Sequence, residues 1–231
     1  MPIRYLPEWA KSRGDRPIAL YHSDGLPWNR SMRPLVMVGG VHGDEPEGVR
    51  LAQATLEWLK TEPSSVTVPW ILIPCLNPDG YAANQRTNGA GVDLNRNYPA
   101  KSWSPEAKGP RYNPGPSPGS EPEVNAMVNL IETFDPRLII HCHSWNPVIV
   151  FTGEPARKDA ERLVEACGYP LQPTIGYDTP GSLSQYGWFD LGIPIICIEE
   201  QEHIASLDLV WPHFEKGIEA IFADPSDRKG R

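Results

Sequence analysis

The run LVMVGGV at residues 35–41 is continuously apolar, and His42-Gly43-Asp44-Glu45 follows it without a break. A short apolar run without alternation predicts a strand buried on both faces. The pair Gly39-Gly40 near its end predicts a close approach of backbones. Just beyond, residues 48–60 (GVRLAQATLEWLK) space Val49, Leu51, Ala52, Leu56 and Leu59 in a helical rhythm. The same strand-and-helix alternation continues outward in both directions. Further strands are predicted at 18–21, at 66–75 with a proline interruption, and at 138–142, 148–151 and 193–198. Helices are predicted at 121–134, introduced by Ser120, at 154–167, ended by Gly168, and at 207–222. This pattern implies an α/β protein with a mostly parallel sheet covered on both faces. In such sheets ligands sit outside the carboxyl ends of the strands. His42, His143 and Glu199 all fall at those ends. The Pro- and Gly-rich stretch 102–119 reads as a long surface excursion, too embedded to link two domains, so one domain is expected over 1–231.

The chain has 231 residues, 40% of them hydrophobic, which suits a globular core. Its formal net charge of −8 argues against broad contact with a nucleic-acid backbone, which needs clustered Lys and Arg. No run approaches the roughly 18 apolar residues of a membrane span. The first residues, MPIRYLPEWAK, lack the apolar stretch of a signal peptide. A cytoplasmic address is the expectation. Of the four cysteines, Cys75, Cys142 and Cys197 lie in apolar strand-like runs, where a thiol acts as a small buried hydrophobe. No disulfide framework is expected.

Several residues suggest metal chemistry. His42 and Glu45 are three apart across a glycine, and a tight turn there would let imidazole and carboxylate meet one cation. Zinc takes such ligands, and a catalytic zinc site wants three of them plus an open position. On its own H-x-x-E is weak, because acidic residues are also favoured in the first turn of a helix. His141 and His143 end an apolar strand, and alternation turns both toward the same side, so either fits the third position. Glu199 ends another buried strand, where a carboxylate needs a partner or a task. Proton transfer during hydrolysis is such a task. The competing reading of residues 199–202 is a solvent-facing acidic turn. The segment RTNGAGVDLNRNY at 86–98 supplies Arg86, Asn95 and Arg96, donors suited to an oxyanion or a free carboxylate. The plainer reading there is a polar surface loop with Asp93 paired to Arg96.

Taken in order, H-x-x-E at 42–45, NPDG at 77–80, GVDLNRN at 91–97, a strand ending in His-Ser at 143–144, a tyrosine-bearing loop and a strand ending in Glu199 resemble the zinc metallocarboxypeptidases. The stretches NGAGVDLNRNYPA, GSEPE and GYDTPGS are similar to the murein peptide amidase subgroup in particular. The resemblance implies a three-layer α/β/α sandwich around a central mixed, mostly parallel sheet. It implies His42, Glu45 and His143 as ligands of one zinc ion, with His143 preferred over His141 because the family's ligand precedes a small residue. It implies Glu199 as general acid and base and Arg86 as the oxyanion arginine. Asn95 and Arg96 match the pair that grips the substrate's carboxylate, and Tyr177 the tyrosine that covers it.

The implied activity is hydrolysis of an amide beside a free carboxylate in a small peptide, with a cell-wall peptide cut between γ-D-glutamate and diaminopimelate. Ser182, Ser184 and Gln185, near the tyrosine loop, are candidates for the side-chain pocket. Succinylglutamate desuccinylases and aspartoacylases, which act on N-acyl amino acids, offer the alternative. The chain departs from the subgroup in carrying HCHSWNP, with a second histidine, His141, and in the EQEH that follows Glu199.

Overall fold

A computed structural model describes residues 2–25 and 30–223; the remaining positions of the expected domain lie outside the described residues. Its strands are β1 (Ile3–Lys11), β2 (Pro17–Ser23), β3 (Leu35–Val38), β4 (Trp70–Ile73), β5 (Leu138–Trp145), β6 (Val148–Thr152), β7 (Leu171–Gln172) and β8 (Ile195–Gln201). Its α-helices are α1 (Pro46–Thr61), α2 (Pro78–Ala83), α3 (Pro122–Phe134), α4 (Arg157–Cys167) and α5 (Val210–Ala223). The strands form one sheet in the order β1-β2-β4-β3-β5-β8-β6-β7. The central run β4-β3-β5-β8 is parallel, and antiparallel pairings flank it. The sheet is therefore mixed, as expected.

Side-chain alternation sorts the core into two layers. Leu35, Met37, Ile140, Cys142, Ile196 and Ile198 face α1, α4 and α5, packing with Phe214, Ile218 and Phe222. Val36, Val38, Ile139 and Ile195 face the other way, toward Val124, Met127 and Phe134 of α3. Each fully buried side chain of this size contributes about 1.5–3 kcal/mol. His141, His143, Cys197 and Glu199 share the α3 side of their strands, and Glu200 points to the other.

Most element boundaries differ from expectation by a few residues, and the causes are local. The strand expected at 66–75 is confined to Trp70–Ile73: the Thr67 and Val68 amides donate to Phe222 of α5, and prolines 69 and 74 bracket the remainder. Ser120 does not introduce α3. Glu121 holds the N-cap position ahead of Pro122, and the Ser120 hydroxyl instead donates to Glu121 at 2.8 Å. Residues 154–156 and 207–209 form 3₁₀ turns ahead of α4 and α5. Gly168 does end α4, with φ of 74°. The edge strand β1 was not expected. It carries Pro7, its register slips between Leu6 and Ala10, and its side chains alternate poorly between exposed and half-buried.

β5 and β8 run past the points where the sequence suggested they stop. His143 and Glu199 lie within them and are direct register partners.

Candidate active site

β3, β5 and β8 are parallel neighbours, so their carboxyl ends open on one edge of the sheet. The turn after β3 carries His42 and Glu45 there. Two glycines permit that turn. A Cβ on Gly39 would lie 2.6 Å from the Gly48 carbonyl oxygen, and one on Gly43 only 1.9 Å from the carbonyl carbon of Gly80. Gly43 is thus required by close approach to the NPDG segment. That segment is fixed in turn: Asn77 accepts from the Gly80 amide at 2.9 Å and donates to the Arg86 carbonyl at 3.2 Å. NPDG therefore sets both the His42 turn and the start of the Arg86 loop.

His42, Glu45 and His143 converge. His42 Nδ1 lies 2.7 Å from Glu45 Oε1, His143 Nδ1 lies 2.7 Å from Glu45 Oε2, and the two ring nitrogens are 3.0 Å apart. His42 Nε2 donates to Asp93 Oδ1 at 3.1 Å, since a carboxylate can only accept. A neutral His42 then presents a lone pair at Nδ1 toward an anionic oxygen, an arrangement that a shared cation or a second proton reconciles. Burial and Arg86 oppose a charge on His42, yet Glu45 and Asp93 outweigh them and raise its pKa. Burial likewise opposes ionisation of Glu45, but His42 and His143 hold its carboxyl well below the usual range. Two imidazoles and one carboxylate whose ligand atoms all lie within 4.8 Å of one another are a donor set that fits zinc. The backbone amide of Ser144 reaches Glu45 Oε2 at 3.3 Å, and its hydroxyl donates to Glu47 at 2.6 Å, tying β5 to α1.

His141 does not join this cluster directly. Its Nδ1 meets His143 Nε2 at 2.9 Å, so it stands behind His143. Burial, and then the charges of His143 and His42, pull its pKa well below the ordinary value.

Asp93 corrects the sequence reading. It is fully buried and pairs with Arg86 Nε at 2.8 Å and with His42, not with Arg96 on a surface. Burial works against its charge, but His42 and Arg86 keep it deprotonated. A carboxylate behind a metal-binding imidazole is a recurring need of such sites, and the DLN of residues 93–95 was the available signal. Arg86 also reaches Glu45 Oε1 at 3.2 Å, so it is held by two carboxylates.

The other expected residues line the same cavity of about 410 Å³: Asn95, Arg96, Tyr177, Ser182, Ser184, Gln185 and Glu199. Asn95 Oδ1 accepts from the Leu183 amide at 2.9 Å, which turns its NH₂ the other way as a donor. Arg96 is anchored on the Asn95 carbonyl at 2.6 Å. Glu199 is buried, and its one donor among the described residues is the Cys197 thiol at 3.3 Å. Burial and the nearby Glu45 charge push its pKa up to about 8. The acidic-turn reading of 199–202 fails at its start, because Glu199 and Glu200 are both buried strand residues. Tyr177 sits at the rim, edge-on to Trp145 with ring centroids 5.9 Å apart.

Sequence reasoning also missed Tyr112. The stretch 102–119 folds back over the site, because Asn97 clamps it through the carbonyls of Pro114 at 2.7 Å and Ser117 at 3.0 Å. This brings the Tyr112 ring to 5.3 Å from the Arg86 guanidinium and 5.7 Å from that of Arg96. Among the described residues no helix is long and apolar enough to cross a membrane, and all four cysteines are free.

Comparison with known proteins identifies the family and the fold. Murein peptide amidase A of Escherichia coli (strain K12) is 32% identical over 162 residues, covering 65% of this chain and 64% of that relative, so the chain spans less than two thirds of its length. Murein peptide amidase A of Vibrio campbellii (strain ATCC BAA-1116) is 28% identical over 200 residues, covering 81% and 75%. The crystal structure of the murein-tripeptide amidase from E. coli O157 superposes with a TM-score of 0.76 at 26% identity, over 97% of this chain and 93% of that one. The carboxypeptidase A of Helicoverpa armigera shares the fold, with a TM-score of 0.80 at 17% identity over 98% of this chain and 70% of that one. A family profile described as zinc carboxypeptidase matches residues 6–173, and on that match the chain belongs to the zinc carboxypeptidase family.

Proposed function

We propose that this chain is a zinc-dependent hydrolase that cuts an amide next to a free carboxylate, acting on murein peptides at the bond between γ-D-glutamate and diaminopimelate. The observation that carries the reading is the convergence of His42 Nδ1, Glu45 and His143 Nδ1 in one cavity with Glu199, Asn95 and Arg96. His42, Glu45 and His143 would hold one zinc ion, leaving a position open. Bound zinc supplies Lewis acidity, which acidifies water and polarises a carbonyl.

The protein's own groups do the rest. Asp93 holds His42 in the tautomer that offers Nδ1. Arg96 and the Asn95 amide bind the substrate's free carboxylate and so fix which amide lies over the metal ligands. Arg86, steadied by Asp93 and Glu45, stabilises negative charge on the carbonyl oxygen. Glu199 takes the proton from water and passes it to the departing nitrogen; a buried carboxylate with one weak donor suits both halves of that task. Tyr177 covers the bound substrate from the rim. The similarity to proteins named murein peptide amidase A supports the substrate class. The whole chain acts as one catalytic unit on a small peptide, without nucleic acid, in the cytoplasm.

Purified protein incubated with murein tripeptide and, separately, with N-succinylglutamate tests this. Release of diaminopimelate from the first, abolished by chelation and restored by zinc, is the expected result. Exclusive cleavage of N-succinylglutamate would overturn the substrate class.

A further inference from the structure

His141 has no role in the scheme above, yet it is buried in the middle of it. Its Nδ1 is occupied by His143 Nε2 at 2.9 Å, with the two rings edge to face. Its other nitrogen, Nε2, is buried with no hydrogen-bond partner among the described residues, although the side chain lines the cavity. Buried polar atoms are nearly always paired, so this orphan on a cavity-lining side chain is open to a water or to a substrate atom that displaces it.

The position of His141 identifies which part of a substrate that is. His143 and Glu199 are register partners at the level of the reaction, and His141 and Cys197 are the next pair inward on the same face. Two residues of strand move about 6.6 Å deeper. His141 therefore lies on the cavity floor beneath the reacting centre. Cys197 pairs in turn with Val150 of β6, which also lines the cavity. A substrate held with its free carboxylate on Asn95 and Arg96 and its amide over His42, Glu45 and His143 would present the side chain of the released residue to this floor.

The direction of the hydrogen bond follows from counting protons. A neutral imidazole carries one N–H. If His143 gives its Nδ1 lone pair to a metal, its proton is on Nε2 and is donated to His141 Nδ1. The single proton of His141 then lies on Nε2, and the orphan atom is a donor.

We propose that His141 is a specificity-determining residue whose Nε2–H, set by the chain His143 Nε2–H to His141 Nδ1, donates to an acceptor at the tip of the released residue's side chain, a carboxylate in diaminopimelate. This rests on the metal site and the peptide substrate proposed above.

Two measurements test it. The first uses two peptides that differ only in the released residue: diaminopimelate, or lysine, which keeps the amine and lacks the second carboxylate. His141→Asn keeps an acceptor for His143 and removes the floor donor. In that variant, with zinc content held at one ion per chain, the preference for diaminopimelate over lysine is expected to narrow by about tenfold or more through KM, the size of one hydrogen bond to a charged group. A preference unchanged within twofold would overturn the proposal, even while cleavage itself upholds the function. The second measurement needs neither turnover nor the variant. Ring-nitrogen NMR of the zinc-loaded protein should find the His141 proton on Nε2, and that signal should move on adding free diaminopimelate but not lysine. A proton on Nδ1, or an equal response to both amino acids, would overturn it. A selective shift without cleavage of either peptide would uphold the role of His141 and refute the proposed reaction.

Discussion

Glu199 and Glu200 are consecutive residues of β8, 8% and 1% exposed, and they face opposite sides of the sheet. On the side of α4 and α5, Glu200 is fully partnered. The Tyr169 hydroxyl and the Gln201 amide donate to one oxygen, and His213 Nδ1 lies 2.6 Å from the other. On the cavity side, Glu199 has a thiol for a donor and another carboxylate, Glu45, for a neighbour. The same residue type at nearly the same depth is thus a structural pin on one face and an undercompensated group on the other. A buried carboxylate with strong donors has little reason to exchange a proton, whereas one without them is available to do so.

Substitution separates the two most sharply at Glu199. Glu199→Gln should lower turnover by about 10²–10⁴-fold while zinc content stays at one ion per chain. Turnover within a few-fold of the parent would dissolve the distinction between the faces. Stability should move with pH in a defined direction. The folded pKa of Glu199 is raised to about 8, against an unfolded value of about 4.3. The folded protein then binds the extra proton between those values, so its contribution to stability is present at low pH and is lost as pH rises through the folded pKa. Chelated protein should therefore lose melting temperature across that window, and Glu199→Gln should flatten the loss. The opposite slope at this residue would contradict the raised pKa.

Glu200 should behave in the reverse sense. Glu200→Ala removes the acceptor that Tyr169 and His213 share, leaving them their mutual contact at 3.2 Å, and is expected to cost about 1–3 kcal/mol in denaturant unfolding, with turnover of the folded fraction within a few-fold. The smallest effect is expected from Tyr169→Phe, about 1 kcal/mol, because the Gln201 amide and His213 still satisfy Glu200. A larger loss of activity than of stability in either variant would mean that the two faces are coupled through β8.

The contrast between these neighbours also shows what the sequence could convey. The buried strands and the three helices that cover one face were legible because apolar periodicity is a one-dimensional signal. His42, Glu45 and Glu199 could be picked out as residues following such strands. The choice between His141 and His143 was open to alternation, which turns both the same way. It took the convergence of His143 Nδ1 with Glu45 to distinguish the one in the cluster from the one behind it. Asp93 was passed over because burial is not visible in a polar loop; it is the approach of His42, distant in sequence, and of Arg86 that makes it part of the site. Tyr112 was hidden by its Pro- and Gly-rich surroundings, whose path depends on one asparagine, Asn97, making several hydrogen bonds at once. Glu200 looked like half of an acidic turn because its partners, Tyr169 and His213, come from two other elements.

One metal position, held by His42, Glu45 and His143, is central to the proposed reaction. Zinc-edge anomalous diffraction from crystals of the zinc-loaded protein measures it directly. The predicted result is a single full-occupancy peak bonded to His42 Nδ1, Glu45 and His143 Nδ1. A peak bonded to His141 or Cys197 instead, or no ordered peak in fully loaded protein, would contradict it.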